Sequence, residues 1–309
     1  MSIPTIQVAA AVIVRSDGRF LLASRPPDKT YPGYWEFPGG KIEAGESAYT
    51  AMVRELDEEL GIRVIRSVPW ITRRHDYATA RVVLTFFRVY AWHGEPQPRE
   101  GQTLSWQAAD DLTVAPVLPA NLPVLRALSL SPLFGITQAG NDPAAFLLRL
   151  DRALENGIRF VQVRERELDD LEGFALTVVA RAHAAGARVI INNDAALAQK
   201  VHADGIQISS AQLTESTRRP DFPLVGASCH NAAELDRAER LDCDYALLSP
   251  VLPTASHPDA TPLGWQRFAE LCADRSIPIY ALGGLTAADL PVAQQHGAHG
   301  IALLRGAWQ

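Results

Sequence analysis

The sequence predicts two domains, an α+β domain followed by a compact (β/α)8 TIM barrel. Three observations carry this prediction. A chain of 309 residues is long for a single hydrophobic core. Strand-like runs dominate before residue 130, where one strong helix pattern interrupts them. After residue 130, strand and helix patterns alternate with short connections. The predicted domain boundaries are 1–129 and 133–309.

The first domain is defined by three strand patterns and two helix patterns. The predicted strands are VAAAVIV at 8–14, RFLLASR at 19–25 and RVVLTFFRVYAW at 81–92. The strong helix pattern covers 47–60. Residues 115–132 hold four prolines and a short apolar helix pattern, which indicates the last helix of this domain and a linker.

The second domain shows a succession of β units rich in β-branched residues. The candidate strands are 133–137, 160–165, 188–193, 205–209, 224–229, 245–251, 279–284 and 300–306. Eight such units favour a barrel over a doubly wound sheet, which is the structural alternative. The segment is shorter than the ~250 residues of a typical barrel, so we expect some helices to be short or missing, most obviously after the last strand.

Composition limits the classes of partner. A net charge of −6 argues against tight, non-specific nucleic-acid binding. The N-terminal segment has the pattern of a first strand and not of a signal peptide, and no run is long enough for a membrane span. The three cysteines lack paired or metal-type spacing, so we expect reduced thiols in a cytoplasmic protein. They are Cys229, Cys243 and Cys272.

The helix at 47–60 carries a cluster of carboxylates. Glu55, Glu58 and Glu59 are spaced i, i+3, i+4 and share one face. The opposite side is apolar and consists of Met52, Leu56 and Leu60. Like charges this close repel, and a divalent cation offsets the repulsion. Oxygen ligands suit Mg²⁺, or Mn²⁺, which takes phosphate oxygens as its remaining ligands.

The residues around this helix resemble the Nudix box. The matching positions are Gly40, then Glu46 after five residues, then RELDEELGI at 54–62 after seven more. A plain solvated acidic helix is the alternative, but it leaves the glycines and the arginine without a role. Nudix proteins hydrolyse a nucleoside diphosphate linked to a further group. The resemblance implies that Glu55, Glu58 and Glu59 bind the metal together with the Gly39 carbonyl, and that Arg54 and Glu46 orient helix and loop through an ion pair. Which carboxylate is the general base stays open.

Beyond the box, LLASR, WEFPGGKIE, REGQ and LPANLPVL resemble the MutT-type 8-oxo-dGTP diphosphatases across residues 6–128. The resemblance implies that Glu100 adds a carboxylate at the metal, Arg25 binds phosphates, Asn121 reads the modified purine and Phe37 packs against the base. An amide offers the donor and the acceptor that a guanine edge requires. The alternatives are a solvated strand end for Arg25, a helix cap for Asn121 and a surface position for Glu100.

The predicted barrel has polar residues at the carboxyl ends of its strands, where barrels place their chemistry. A glycine pair, Gly283-Gly284, and Arg305-Gly306 follow the last two strands, where a phosphate commonly binds. Residues 133–308 resemble the thiamine-phosphate synthase/TenI superfamily in FVQVRERELD, IINND, ADGIQIS, VGASCH, LLSPVLPTASHP and YALGGL. The resemblance implies a phosphorylated thiazole or thiamine-related ligand, with Gln162, Arg164, Gly283 and Gly284 as binding residues.

Several positions depart from the synthase pattern. Asn193 and Gln212 stand where synthases carry the two Mg²⁺-binding aspartates, and Asp194 is one residue late. His257 and Arg166 replace the two lysines of the pattern. Loss of the metal carboxylates argues against synthase activity. In the TenI branch a histidine at the position of His230 suits proton transfer in a tautomerisation, although a helix cap is the simpler role.

The sequence therefore predicts a Mg²⁺-dependent Nudix hydrolase that cleaves 8-oxo-dGTP to 8-oxo-dGMP and pyrophosphate, fused to a TenI-like barrel. In the first alternative, the hydrolase acts on a damaged thiamine pyrophosphate or another nucleoside diphosphate derivative. In the second, the barrel is a non-catalytic module that binds a phosphorylated ligand.

Overall fold

The structure is a computed structural model that describes residues 4–165, 167–254 and 260–308. The chain forms two compact units whose main boundary lies between Ser129 and Leu130, with Ala273–Ser276 grouped with the first unit. Within the described residues, no helix is both long and apolar enough to cross a bilayer.

The first unit combines strands and helices in an α+β arrangement. Its strands are β1 Thr5–Ile13, β2 Phe20–Ser24, β3 Trp35–Glu36, β4 Gly39–Lys41, β5 Arg63–Asp76, β6 Arg81–His93 and β7 Leu104–Gln107. Its helices are α1 Ala48–Leu60 and α2 Leu122–Leu128, the latter preceded by a 3-10 turn at Pro119–Asn121. One sheet has the order β4-β1-β6-β5, with β1 and β6 parallel, and the other has the order β3-β2-β7.

Strand β1 lies at the centre of this unit because both of its faces are apolar. On one face, Ala9 and Ala11 pack in a buried cluster with Met52 and Leu56 of α1. On the other face, the strand packs in a second cluster that includes α2. Small side chains on β1 let the helix lie close to the sheet, which sets the carboxylates of α1 over the sheet edge.

The structure contains a long strand, β5, that the sequence analysis did not predict. It pairs antiparallel with β6, and the pairing register shifts at several points along its length. Each bulge moves the alternation of buried and exposed side chains by one residue, so no continuous period of two exists over 63–76. The short strands β3, β4 and β7 were also missed.

The second unit is the predicted barrel. Its strands are β8 Leu133–Ile136, β9 Phe160–Val163, β10 Arg188–Asn192, β11 Gly205–Ile208, β12 Leu224–Cys229, β13 Tyr245–Leu248, β14 Ile279–Leu282 and β15 Gly300–Leu303. Its helices are α3 Pro143–Glu155, α4 Leu171–Ala184, α5 Ala195–Lys200, α6 Ser210–Glu215, α7 Ala232–Arg240, α8 Gly264–Cys272 and α9 Leu290–Gln295. The strands close in sequential parallel order, which confirms the barrel and excludes the doubly wound sheet.

Aromatic rings fill one end of the barrel interior. Phe134 and Phe160 stack with ring centroids 4.1 Å apart, and Tyr245 and Tyr280 meet edge to face at 5.7 Å. After β15 the described residues contain no further helix, and Trp308 packs against Phe146 of α3 instead. Its indole N–H donates to the carbonyl of Ile136 at 2.7 Å. A tryptophan therefore covers the barrel wall where a last helix is missing.

Candidate functional site

The first unit contains a cavity of about 680 Å³ whose wall includes most of the predicted site residues of this domain. They are Arg25, Phe37, Gly39, Glu55, Glu59, Glu100 and Asn121. The remaining residues predicted from the box, Glu46, Arg54 and Glu58, lie outside the lining. The cavity thus joins the carboxylates of α1 to the residues predicted to hold phosphate and base.

Helix α1 presents its carboxylates to this cavity because both of its ends are fixed. The Ser47 side chain accepts a hydrogen bond from the Thr50 N–H at its start, and Gly61 ends it in the left-handed conformation with φ 68°. The apolar side is buried, so Glu55 and Glu59, one turn apart, point away from the core and line the cavity.

Arg54 binds three of the surrounding carboxylates. Its guanidinium Nη2 lies 3.0 Å from Glu46, and its Nη1 lies 2.9 Å from Glu55 and 3.1 Å from Glu58. Nη2 also donates to the Lys41 carbonyl at 3.1 Å. The hydrogen bond from Arg54 lowers the pKa of Glu46. Arg54 therefore ties the helix to the loop after β4 and offsets part of the negative charge.

Glu59 is a partly buried carboxylate that lies near two other carboxylates. It accepts a hydrogen bond from the Gly39 N–H at 3.3 Å. Burial, followed by the charges of Glu55 and Glu100, raises the pKa of Glu59 to about 8. A cation beside Glu59 would offset the negative charges of Glu55 and Glu100, so this edge of the cavity suits a positive charge.

Gly39 and Gly40 each lie close to a neighbouring group, and the approach to the main chain at Gly39 is the stricter of the two. Gly39 has φ +145°, and a Cβ there would lie 2.1 Å from the carbonyl oxygen of Ala9 on β1. A Cβ on Gly40 would lie 2.1 Å from the carboxyl group of Glu55. Glycine at both positions lets β4 pair with β1 while the carboxylate of Glu55 lies against the main chain.

Glu100 reaches the acidic edge because the loop that carries it caps the end of α1. The Arg99 N–H donates to the Glu59 carbonyl at 3.0 Å, and its guanidinium donates to the Asp57 carbonyl at 2.8 Å. Gln102 donates to the Glu59 carbonyl at 3.0 Å and accepts from the Glu100 N–H at 2.7 Å. These bonds satisfy the last carbonyls of the helix and hold Glu100 beside Glu59.

Arg25 lies in the cavity wall, but its guanidinium is already hydrogen-bonded. Nη1 donates to Glu36 at 2.6 Å, and Nε donates to the Thr30 carbonyl at 2.5 Å. Burial raises the pKa of Glu36, and the charge of Arg25 opposes that increase. Arg25 and Glu36 thus form a partly buried ion pair within the predicted phosphate and base site.

Phe37 and Asn121 are almost fully buried. Phe37 is 3% exposed and lies 5.8 Å, centroid to centroid, from both Phe20 and Phe86, so most of its ring belongs to the core. Asn121 is 2% exposed and occupies the cap position of α2, yet its side chain makes no capping hydrogen bond. The cap alternative therefore does not account for the Asn121 amide, which lines the cavity.

The donor set fits a hard divalent cation. Glu55, Glu59 and Glu100 supply carboxylate oxygens to one cavity, and carboxylate oxygens are the ligands that such cations prefer. No three His, Cys, Asp or Glu side chains in the described part of the chain already stand together in a metal-binding group. Glu58 is turned to Arg54, with a side chain that is 55% exposed. Metal binding therefore requires side-chain rotation within the cluster.

In the barrel, the predicted binding residue Gln162 is 1% exposed. Its amide donates to Asn192 at 2.8 Å, whereas its Oε1 has no hydrogen-bond partner among the described residues. The main-chain N–H of Arg164, the second predicted binding residue, donates to Thr137 at 2.9 Å. The carboxyl ends of β8, β9 and β10 are thus joined by polar side chains.

The two positions that replace the metal aspartates bond to their own surroundings. Asn193, at φ 59°, accepts a hydrogen bond from the Ser209 N–H, and Gln212 donates to the Asn193 carbonyl at 3.2 Å. Asp194 caps α5 by accepting from the Leu197 N–H at 2.9 Å. The nearest carboxylate is therefore committed to a helix end, and neutral amides occupy the expected metal positions.

His230 follows β12 and has a side chain that is 48% exposed. Its Nδ1 lies 3.0 Å from the Glu234 carboxylate, which also accepts from the His230 main-chain N–H at 2.6 Å. The cap of α7 is Asn231, whose side chain accepts from the Glu234 N–H. The capping side chain is thus that of Asn231, and the imidazole of His230 is held by Glu234.

The glycines predicted to bind phosphate have a packing role as well. Gly283 and Gly284 have φ values of +105° and +71°, and a Cβ on either would lie within 3 Å of the loop at Pro250–Pro253. Arg305 is exposed. The predicted positions Arg166 and His257 lie outside the described residues.

Sequence reasoning missed several residues of the cavity wall. Glu36, Lys29, Tyr31 and Tyr77 line it. Glu36 lies in the segment WEFPGGKIE, directly before Phe37, which was predicted to contact the base, so its place in the chain was an available signal. The aromatic contact of Tyr31 and Tyr77, 5.6 Å between centroids, joins distant segments and has no local signal.

Comparison with known proteins reveals a family for each unit. The profile of the family described as Thiamine monophosphate synthase matches residues 133–307, and that of the NUDIX domain matches residues 4–128. A thiamine-phosphate synthase of Desulfitobacterium hafniense is 33% identical over 52% of this chain and 81% of that protein. A CTP pyrophosphohydrolase of Escherichia coli is 39% identical over 40% of this chain and 90% of that protein. An 8-oxo-dGTP diphosphatase of Haemophilus influenzae is 36% identical over 40% of this chain and 90% of that protein.

Proposed function

The chain belongs to the thiamine monophosphate synthase family through its barrel and carries a NUDIX domain before the barrel. We propose that the NUDIX domain is a Mg²⁺-dependent hydrolase of 8-oxo-dGTP. The products are 8-oxo-dGMP and pyrophosphate. The observation that supports this proposal most directly is that Glu55, Glu59, Glu100 and Asn121 line the same cavity. The similarity to 8-oxo-dGTP diphosphatases supports the same substrate.

In this proposal the acidic edge holds the metal. Glu55, Glu59 and Glu100 supply carboxylate oxygens, and Gly39 supplies its carbonyl oxygen. Glu58 joins them after its side chain rotates away from Arg54. The bound metal would lower the pKa of a water molecule and neutralise phosphate charge. Arg54 keeps Glu46 and Glu55 oriented through its hydrogen bonds at 2.9–3.1 Å. The loop caps around Gln102 hold Glu100 within reach of the same ion.

Asn121 supplies the recognition of the base. Its amide offers one donor direction and one acceptor direction, which match the edge of a guanine or an 8-oxoguanine. The side chain is not used as a helix cap, and its burial excludes water from the contact. A buried amide left unpaired by the wrong base is costly, and this cost gives discrimination. Phe37 also lines the cavity.

A second substrate follows from a specific observation. The relative named CTP pyrophosphohydrolase is 39% identical, which favours a cytidine nucleotide as strongly as the other relative favours a guanine nucleotide. The carboxylate of Glu36 in the cavity is an acceptor that suits an exocyclic amino group. A damaged thiamine pyrophosphate is a further candidate, which the fusion to a barrel of the thiamine-phosphate synthase family supports.

One screen separates these substrates. The purified full chain is incubated with 8-oxo-dGTP, dGTP, CTP, dCTP, thiamine pyrophosphate and oxidised thiamine pyrophosphate, with Mg²⁺ or with EDTA. We expect the highest kcat/KM on 8-oxo-dGTP and no turnover in EDTA. Preference for a cytidine nucleotide or for a thiamine derivative would replace the proposed substrate, and turnover in EDTA would remove the metal assignment.

For the barrel we propose binding of a phosphorylated thiazole or thiamine-related ligand without synthase activity. Amides at 193 and 212 support the loss of the synthase metal site, because Asn and Gln bind Mg²⁺ far more weakly than carboxylates. His230, held by Glu234, is the proposed acid and base for a tautomerisation. Loss of thiazole phosphate isomerisation in the His230→Ala variant is expected. A wild-type protein that binds the ligand, with a rise in melting temperature, and yet shows no isomerisation would make the barrel a binding module.

A further inference from the structure

The loop between β2 and β3 carries a lysine that faces the acidic edge of the cavity. Lys29 Nζ lies 3.6 Å from the Oε2 atom of Glu100, and both residues line the cavity. The two side chains are 50% and 43% exposed. At this separation the contact is an ion pair without a direct hydrogen bond, and an exposed pair of this kind is easily exchanged for other partners.

Arg25, the residue that the sequence assigns to the phosphates, is held differently. Its Nη1 and Nε atoms make short hydrogen bonds to Glu36 and to the Thr30 carbonyl. Moving its guanidinium to a phosphate would leave the partly buried Glu36 carboxylate without its cation, which is costly. Moving the Lys29 ammonium costs little, provided that Glu100 finds another positive charge.

We propose that Lys29 binds the phosphate chain of the nucleotide, and that it is released for this role when Glu100 turns to the divalent cation. This inference rests on the proposed nucleotide hydrolysis. Glu100 pairs with the ammonium of Lys29, and its charge also acts on Glu59, which would hold the metal together with Glu55. As Glu100 binds the metal, Lys29 loses its counter-charge and offers its donors to a phosphate oxygen, for which a charged hydrogen bond is strong.

Exchange of partners at Glu100 couples the two ligands. The metal favours nucleotide binding by releasing Lys29, and by reciprocity the nucleotide favours metal binding. In the metal-free protein the same pair opposes nucleotide binding, because Lys29 is occupied. Removing the charge of Glu100 should therefore free Lys29 even without metal and strengthen nucleotide binding. This gain in affinity should disappear when Lys29 is also replaced.

The test is calorimetric binding of α,β-imido-8-oxo-dGTP, the non-hydrolysable form of the proposed substrate, to the full chain, in EDTA and in Mg²⁺. In Mg²⁺, Lys29→Met should weaken binding about tenfold and Lys29→Arg by less than about threefold. In EDTA, Glu100→Gln should strengthen binding about fivefold, and the double variant Lys29→Met/Glu100→Gln should lose this gain. Lys200→Met, which removes a lysine that pairs with Glu172 on the barrel, is the charge-matched control and should bind as the wild type does.

Two different failures are distinguishable. A wild-type protein that binds and hydrolyses nucleotides while Lys29→Met binds as tightly as the wild type would overturn the role of Lys29 and leave the proposed function standing. A gain in the Glu100→Gln variant that persists without the lysine would overturn the partner exchange. A wild-type protein that neither binds nor hydrolyses any nucleotide of the screen would overturn the proposed function and this inference with it.

Discussion

The side-chain amide of Gln102 donates a hydrogen bond to the main-chain carbonyl of Glu59 at 3.0 Å, although the two residues are 43 positions apart in the chain. The same side chain accepts from the N–H of Glu100 at 2.7 Å. One buried amide thus joins the end of the carboxylate helix to the loop that carries the additional carboxylate, and the separation of Glu59 and Glu100 depends on it.

Gln102→Leu should lower kcat/KM about tenfold and raise the Mg²⁺ concentration needed for half-maximal activity, because Glu100 is no longer held beside Glu59. Metal titrations of the hydrolysis rate measure both quantities. Gln97→Leu, at an exposed position of the same loop, is the matched control and should behave as the wild type. An unchanged metal dependence in Gln102→Leu would show that Glu100 does not act at the metal.

Glu59→Gln should reduce hydrolysis at least about a thousandfold, because it removes the charge of a proposed metal ligand that lines the cavity. Glu58→Gln should also abolish activity while the fold stays intact, as the Nudix pattern implies. Asp57→Asn removes an exposed carboxylate from the same helix and should have little effect. Steady-state rates with circular dichroism as the fold control test all three, and full activity of Glu58→Gln would restrict the metal site to the carboxylates that line the cavity.

The raised pKa of Glu59 predicts a pH-dependent loss of stability in EDTA. An acid whose pKa rises from its ordinary value to about 8 on folding favours the folded state while it is protonated, so its contribution is complete below about pH 4.5 and declines up to about pH 8. Glu59→Gln should remove this decline and melt about 3–6 °C above the wild type at pH 8, but equally at pH 4. Added Mg²⁺ should raise the melting temperature of the wild type more than that of the variant. If the melting temperatures of the wild type and Glu59→Gln change in parallel across this pH range, neither burial nor the neighbouring carboxylates raise the pKa of Glu59.

Asn121→Ala should reduce the preference for 8-oxo-dGTP over dGTP by about one to two orders of magnitude, since the variant loses the amide that distinguishes the base edges. Asn121→Asp keeps the size and one acceptor while it removes the donor. Its preference for 8-oxo-dGTP over dGTP should therefore differ from that of both the wild type and Asn121→Ala. Competition between the two nucleotides in one reaction measures the ratio directly. If the alanine variant keeps the wild-type ratio, the base is read elsewhere in the cavity.

Trp308→Ala should destabilise the barrel by about 3–5 kcal/mol, because the indole fills the space over Gly135 and packs against Phe146. Trp308→Phe keeps an aromatic ring and loses the hydrogen bond to Ile136, so its cost should be nearer 1–2 kcal/mol. Urea unfolding followed by circular dichroism gives both values. Equal losses in the two variants would assign the effect to the hydrogen bond and not to the packing.

Local patterns were sufficient for much of the fold. The candidate strands of the barrel correspond to β8–β15, because each is a short apolar run bounded by polar residues and glycines. The helix pattern at 47–60 corresponds to α1, with the predicted apolar side buried. Strand β5 was missed because its bulges interrupt the alternation that would have indicated it.

For the candidate site, sequence spacing placed Glu55 and Glu59 on one helix face, and resemblance pointed to Arg25, Glu100 and Asn121, which the structure brings to the same cavity. The sequence did not indicate that the guanidinium of Arg25 is hydrogen-bonded to Glu36. Nor did it indicate that Lys29 faces Glu100. Both contacts join side chains from loops whose paths depend on the strands that carry them.

The sequence by itself determined which side chains share a helix face and which runs form the barrel, because these properties depend on periods of two and 3.6 residues within one segment. It also carried the resemblance to the Nudix box, which consists of residues at fixed spacing in one segment. Only the tertiary structure decided that Gln102 closes the end of α1, that Glu59 is crowded by Glu100 and that neutral amides at 193 and 212 bond to their own surroundings. The physical reason is that strand pairing and loop packing bring together residues far apart in the chain, and no local period records those distances.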